Sequence, residues 1–162
     1  MFDNIKDLGL NTVFVHARAF CDAFYPSKLF PWSAYITGTE GVSPGFDPLK
    51  IMVDEAKKRG LEIHAWLNPY RISYKTEDVS TLANSSYIKQ YMTKKPSSTL
   101  AVAYDGGLYL NPANADAEKL IIDGVKEILD AYDVDGIHFD DYFYPTMDSC
   151  FDQSDYLAYV NG

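Results

Sequence analysis

One stretch of the sequence, here called the deciding stretch, is the most informative about the fold: Asp135-Gly136-Ile137-His138-Phe139-Asp140-Asp141-Tyr142-Phe143-Tyr144-Pro145. A short apolar run ends here in two carboxylates, and three aromatic rings follow them. Before this stretch, residues 116–132 carry apolar side chains at helical spacing. The order is therefore helix, connector, strand and acidic strand end. It is typical of α/β folds, in which the chemistry lies at the carboxyl ends of parallel strands.

The same order of helix and strand occurs twice earlier in the chain. Residues 2–9 predict a short helix, and residues 12–17 predict the strand that follows it. Asp47 and Pro48 are typical of a helix start, Gly60 is typical of a helix end, and a strand is predicted over residues 61–67. Polar or aromatic residues follow each of the three predicted strands.

The segment between the second and third of these units is long and polar. Residues 71–98 are rich in Ser, Thr and Lys, and only residues 87–92 show a weak helical pattern. We interpret this segment as an insertion at the end of the second strand.

Alternating helices and strands predict a parallel sheet, which is either a closed barrel or an open, doubly wound sheet. Two features favour the barrel. The chain has no glycine-rich phosphate loop between a strand and a helix, and all three strand exits carry candidate ligand-binding groups.

A complete (β/α)8 TIM barrel needs on the order of 250 residues, and this chain has 162. We therefore expect residues 1–162 to form one partial TIM-barrel domain, roughly the first half to two-thirds, truncated at both ends. Its open strand edges would favour self-association.

Composition limits the classes of function. The chain is 47% hydrophobic and 23% charged, and it has no apolar run long enough to cross a membrane. The net charge of −9 argues against a nucleic-acid partner, because no basic stripe is present to meet phosphates. Cys21 and Cys150 both fall on predicted strand-exit loops, and the sequence leaves open a disulfide or two free thiols.

Six segments match a known family in order along nearly the whole chain: Asn11-Thr12-Val13-Phe14-Val15-His16-Ala17-Arg18, Asp22-Ala23-Phe24-Tyr25, Pro31-Trp32-Ser33, Leu61-Glu62-Ile63-His64-Ala65-Trp66-Leu67-Asn68-Pro69-Tyr70-Arg71, Leu108-Tyr109-Leu110-Asn111-Pro112 and Asp135-Gly136-Ile137-His138-Phe139-Asp140-Asp141-Tyr142. They resemble the bacterial glycosyl-hydrolase-like 10 family, once called a domain of unknown function. The resemblance implies a (β/α)8 barrel in an exported protein, extracellular or in the cell envelope. It also implies glycan hydrolysis, with peptidoglycan glycan strands among the expected substrates. The chain departs from the family at His16, where members more often carry glutamine.

The two carboxylates of the deciding stretch are the candidate catalytic groups. Hydrolysis of a glycosidic bond needs one carboxyl group that protonates the leaving oxygen and a second that acts as nucleophile or base. Asp140 and Asp141 are adjacent, and successive strand side chains point to opposite faces, so we do not expect these two to flank one bond. Period two places His138 and Asp140 on one face. This predicts Asp140 as nucleophile or base, with His138 orienting it or binding a sugar hydroxyl.

Two questions about the carboxylates stay open. Asp140 and Asp141 could instead cap a loop by binding backbone amides. The second catalytic carboxylate could lie beyond residue 162, or it could be one of three others in the chain, Asp22, Glu40 and Asp105.

Residues at the other strand ends are candidates for binding a glycan. Period two aligns His64, Trp66 and Asn68. Trp66 would floor a sugar subsite while the other two bind hydroxyls, or it would simply pack inside the barrel. Arg18 would hold a substrate carboxylate or an active-site aspartate, or form a salt bridge in the loop. Further candidates, ranked below these because they are expected to shape loops, are Tyr70, Arg71, Asn111, Tyr142 and Tyr144.

Two other functions stay open. One is a metal-dependent hydrolase with His64, His138 and Asp140 as ligands, although neither a His-x-His nor an HExxH spacing is present. The other is a non-catalytic barrel whose aromatic rings bind glycan while its aspartates only form hydrogen bonds. For the glycoside hydrolase itself, the sequence predicts a glycan substrate and neither a cofactor nor a bound metal.

Overall fold

The computed structural model describes residues 1–140 and 144–162. Within these residues the chain is a mixed α/β structure. Its strands are β1 (Thr12–Arg18), β2 (Glu62–Leu67), β3 (Arg71–Ser73), β4 (Ala101–Tyr104), β5 (Gly107–Leu110) and β6 (Gly136–His138). Its α-helices are α1 (Phe2–Asp7), α2 (Ala34–Thr37), α3 (Pro48–Lys57), α4 (Tyr87–Lys94), α5 (Ala115–Ala131) and α6 (Gln153–Asn161).

Strands β1, β2 and β6 form a parallel sheet in that order. Each is preceded by a helix, α1, α3 or α5, so the three predicted helix-and-strand units are confirmed. Short polar side chains fix two of the helix starts. Asp47 accepts a hydrogen bond from the backbone of Lys50 at α3, and Asn114 caps α5 in the same way.

One hydrophobic core joins the parallel sheet to helices α3 and α5, and it continues into β3, α4 and β5. In β2 the side chains alternate, so that Ile63, Ala65 and Leu67 are buried while the residues between them are half-buried or exposed. They share one core with residues of the neighbouring elements: Val13, Ala17, Leu49, Val53, Ala56, Ala117, Leu120 and Ile128. The apolar side chains of β2 therefore face the hydrophobic core.

Asp135 joins the start of β6 to β2. One carboxylate oxygen accepts the backbone N–H of Ile63 at 2.8 Å, and the other accepts Lys57 Nζ at 2.7 Å. The hydrogen bond from Lys57 holds the pKa of Asp135 below its usual range. The first residue of the deciding stretch is thus structural, and it aligns the strand that leads to Asp140.

The segment between β2 and α5 contains more structure than the sequence predicted. The weak helix is confirmed as α4, but β3, β5 and β4 also form an antiparallel sheet. Strands β4 and β5 are joined by Asp105 and Gly106, both with positive φ, 48° and 78°. An Asp-Gly pair of this kind is a strong hairpin signal that the sequence analysis missed. Asp105, a candidate catalytic carboxylate, lies at this hairpin turn.

The sequence left open whether Cys21 and Cys150 form a disulfide. Cys21 is buried, Cys150 is exposed, and both are free thiols. Among the described residues, no helix combines the length and the apolar character that a membrane span requires.

Candidate functional site

The candidate site lies on the side of the parallel sheet opposite its apolar face. Six side chains, here called the open face, lie there on alternate positions of the three strands and at the end of β6: Phe14, His16, His64, Trp66, His138 and Asp140. None of them is fully buried. Phe14, in the middle of β1, is 51% exposed.

Parallel register brings His16, Trp66 and His138 into one row across the sheet. Trp66 pairs with His16 on one side and with His138 on the other. The His16 and Trp66 rings are 3.9 Å apart between centroids, and His138 meets the Trp66 ring edge-on at 5.7 Å. This row places two imidazoles against the two sides of one indole.

Trp66 also contacts the predicted catalytic carboxylate. Its indole Nε1–H donates to Asp140 Oδ1 at 2.8 Å. A hydrogen bond to an ionised carboxylate is stronger than one between neutral groups. The structure therefore brings His138, Trp66 and Asp140 together at the carboxyl end of β6, and the catalytic role of Asp140 and His138 stays a prediction.

A second row lies one step earlier along the strands. The Phe14 ring is 5.0 Å from the His64 ring and 4.6 Å from the His138 ring. His64 pairs with Gly136, where an added Cβ would lie 2.5 Å from His64 Nδ1. Gly136 is thus needed so that the His64 ring can lie across β6.

His16 links the open face to the loop that follows β1. Partial burial lowers the pKa of His16, while the nearby charges of Asp140 and Asp22 act in the opposite direction. His16 therefore lies within electrostatic reach of two carboxylates on different elements. No pattern in the sequence assigned His16 to the site, although period two along β1 aligns it with Phe14.

Arg18 is not brought to the open face. Its guanidinium is fully buried and lies 3.6 Å from the centre of the Phe30 ring. It also packs so closely on α5 that a Cβ at Gly124 would lie 2.4 Å from its Nη1. The cause is an irregularity in the pairing of β1 with β2 between His16 and Arg18. Ala17 and Arg18 are consequently both buried, which the simple alternation of a strand does not predict.

Other predicted binding residues hold the loops together. The buried amide of Asn68 donates to the backbone carbonyl of Ala19 at 2.9 Å. Asn111 is fully buried, and its Nδ2 donates to Asp155 Oδ2 at 2.7 Å. The structure therefore gives both asparagines structural contacts.

The remaining candidates are distributed more widely. Tyr70 is half-buried and lines a groove beside β6 together with Ile137 and Phe139. Arg71 begins β3 and pairs with Tyr109. Tyr144 donates a hydrogen bond to Asp152. Two predicted site residues, Asp141 and Tyr142, lie outside the described residues.

The residues proposed as metal ligands do not come together as a set. In the part of the chain that the structure describes, no group of three or more His, Cys, Asp or Glu side chains could hold a metal ion. His64 and His138 instead contact the Phe14 ring, and Asp140 accepts the indole N–H of Trp66.

Comparisons with known proteins place this arrangement in a family. The family model "Glycosyl hydrolase-like 10" matches residues 1–161. The chain is 41% identical over 145 residues to glycosyl hydrolase YngK of Bacillus subtilis, covering 90% of this chain and 27% of that protein. It is 39% identical over 148 residues to glycosyl hydrolase DigH of Escherichia coli K12, covering 88% of this chain and 33% of that protein.

The structural comparison concerns the fold alone. A noncanonic maltogenic α-amylase, AmyB from Thermotoga neapolitana, matches with a TM-score of 0.51 at 12% identity, over 99% of this chain and 37% of the amylase. The chain spans about a third or less of the length of the curated relatives named above.

Proposed function

The chain belongs to the glycosyl hydrolase-like 10 family, and we propose that it forms the first part of the catalytic barrel of a glycoside hydrolase. The hydrogen bond from Trp66 to Asp140 carries this proposal, because it fixes a carboxylate at the carboxyl end of a parallel strand, beside aromatic and imidazole rings. The two curated relatives are both named glycosyl hydrolases.

A partial TIM barrel over residues 1–162 is the architecture that we propose. The three parallel strands are ordered in the sheet as they are in the chain, whereas the strand order of an open, doubly wound sheet reverses at a switch point. The open face also exposes Phe14 by half, as expected of a barrel interior that further strands would cover.

A groove beside β6 supports the same proposal. It has a volume of about 560 Å³ and an apolar lining that includes Ile121, Ile137 and Phe139. β6 has one neighbour among the described strands, β2, so the groove lies where the next strand and helix of a barrel would pack.

In the proposed mechanism Asp140 acts as the nucleophile or as the base that activates water. Trp66 positions Asp140 through the indole N–H, and its ring, between His16 and His138, offers a surface on which a sugar can stack. His138 orients Asp140 or binds a sugar hydroxyl, and His64 lies one step deeper on the same face.

The substrate that we propose is a bacterial or environmental polysaccharide, with peptidoglycan glycan strands among the candidates. The protein would act outside the cell or in the cell envelope, where such glycans lie. Both proposals rest on the family to which the chain belongs.

The experiment is glycan cleavage by the full-length protein. Reducing-end assays and mass spectrometry would follow release from a panel of polysaccharides and from peptidoglycan strands with and without stem peptides. Three proteins are compared: the parent, Asp140→Asn, and Asp130→Asn as a matched control at an exposed position of α5. We expect release by the parent and the control only. Binding without release in all three would favour the non-catalytic carbohydrate-binding barrel, and release by Asp140→Asn at the parental rate would remove Asp140 from the chemistry.

A further inference from the structure

A cavity of about 270 Å³ lies between the loop that follows β1 and the loop that follows β3. Its lining includes three aromatic rings, two carboxyl groups and one lysine: Phe20, Tyr35, Tyr74, Asp22, Glu40 and Lys75. Pockets for drug-sized ligands have volumes of roughly 300–1,000 Å³. The cavity is therefore suited to one small unit rather than to a long ligand.

Three aromatic rings form one wall of the cavity. The Phe20 and Tyr35 rings are nearly parallel, at 12°, with centroids 6.2 Å apart, and the Tyr74 ring is 5.3 Å from Phe20. The two tyrosine hydroxyls lie 3.0 Å apart, which ties helix α2 to the loop after β3. Tyr35 is 60% exposed and Tyr74 is 51% exposed. These rings thus present a flat apolar surface that a ligand can reach.

Two carboxyl groups face the same cavity. Asp22 is almost fully buried and accepts the backbone N–H of Phe20 at 3.0 Å. Glu40 accepts the backbone N–H of Ala83 at 2.8 Å. Burial raises the pKa of both carboxyls, and the charge of Asp22 raises the pKa of Glu40 further. A ligand that donates hydrogen bonds to these oxygens would therefore offset part of the cost of burying them.

The mixture of polar groups selects the class of ligand. Lys75 Nζ lies 5.1 Å from the centre of the Tyr74 ring and adds a donor to a cavity that also contains two acceptors. An anion would be repelled by the two carboxyls, and a cationic ligand would compete with Lys75 for the tyrosine rings. Sugar hydroxyls both donate and accept hydrogen bonds, and one face of a sugar ring is apolar.

The cavity and Asp140 lie at the same end of the parallel sheet. Phe20 and Asp22, which line the cavity, follow the end of β1, and Asn68, just after β2, donates to the carbonyl of Ala19 in the same loop. Trp66, near the end of β2, donates to Asp140. One glycan chain lying over the carboxyl ends of these strands would therefore contact both Asp140 and the cavity. We propose that this cavity is a sugar-binding subsite that holds one unit of an extended glycan beside Asp140. This proposal rests on the proposed glycoside hydrolase function.

The test is a length series of glycans bound by the full-length protein. The probes are chitin-derived and cellulose-derived oligosaccharides, from disaccharide to hexasaccharide, and glycan strands released from peptidoglycan. Binding is measured by calorimetry on proteins that also carry Asp140→Asn, so that cleavage does not interfere. The variants are Tyr35→Ala, which removes the exposed ring, and Glu40→Gln, which keeps an acceptor for Ala83. Tyr159→Ala, at an 86% exposed position of α6, is the matched control.

We expect Tyr35→Ala to weaken binding of the longest bound glycans by about tenfold, with disaccharide binding and the melting temperature unchanged. Glu40→Gln should weaken the same glycans, and Tyr159→Ala should not. Equal binding by the Tyr35→Ala, Glu40→Gln and control proteins at every length would overturn the subsite, as would a parent that binds no glycan of the series. Tyr35-dependent binding without cleavage by the Asp140-bearing parent would refute only the hydrolase proposal. Cleavage that is indifferent to Tyr35 would refute only the subsite.

Discussion

Replacing Trp66 with phenylalanine would test whether its indole N–H positions Asp140. The substitution keeps an aromatic ring between His16 and His138 and removes the donor that lies 2.8 Å from Asp140 Oδ1. A hydrogen bond to a charged group contributes about 1.5–3 kcal/mol, and because Asp140 is exposed we take the lower end, about 1.5 kcal/mol. An increase of this size in the activation free energy corresponds to about a tenfold loss of kcat.

The assay is initial-rate kinetics of the full-length protein on a glycan that it cleaves. Trp66→Phe should lower kcat about tenfold. The matched control is Tyr132→Phe, which removes a hydroxyl donor to Asp47 at 2.7 Å, at the start of α3. It should lower the melting temperature and leave kcat unchanged. A Trp66→Phe protein with parental kcat and a raised KM would refute the positioning role and leave Trp66 as a surface for the sugar.

Three further predictions follow from buried groups. Gly124→Ala should gain up to about 1 kcal/mol of helix propensity but lose about 1–3 kcal/mol to overpacking, because its Cβ would lie 2.4 Å from Arg18 Nη1; a raised denaturant midpoint would contradict the buried position of Arg18. Burial raises the pKa of Asp22, so its contribution to stability is greatest below the unfolded-state pKa and is lost as pH rises through the folded-state pKa. Asp22→Asn should therefore gain stability relative to the parent as the pH rises above the usual Asp pKa of about 4, and a difference in unfolding free energy that is constant with pH would count against this. Burial also raises the pKa of the Cys21 thiol to about 12. A thiol reagent should therefore modify exposed Cys150 quickly and Cys21 only on unfolding. If mass spectrometry finds both cysteines modified at one rate, Cys21 is accessible.

The parts of the fold that the sequence predicted are those encoded locally. The apolar positions of α3 and α5 recur at helical spacing, and Asp47 and Asn114 supply the caps. The antiparallel sheet was missed because β3 pairs with β5, which lies beyond the whole of the polar insertion, and no short window of sequence contains both strands. Only its hairpin had a local signal, the pair Asp105 and Gly106.

The candidate site shows where the period of a strand stops being a guide. Regular alternation correctly put Trp66 and His138 on one face with Asp140, because β2 and β6 pair without interruption up to Trp66 and His138. It failed at Arg18, since the pairing of β1 shifts just before that residue and turns its side chain into the core. Side chains that loops bring together, such as Asp22 and Tyr35, follow no period at all. In this protein the strands therefore predict the candidate catalytic carboxylate, whereas the surface that would hold the rest of a glycan depends on loop contacts that only the structure reveals.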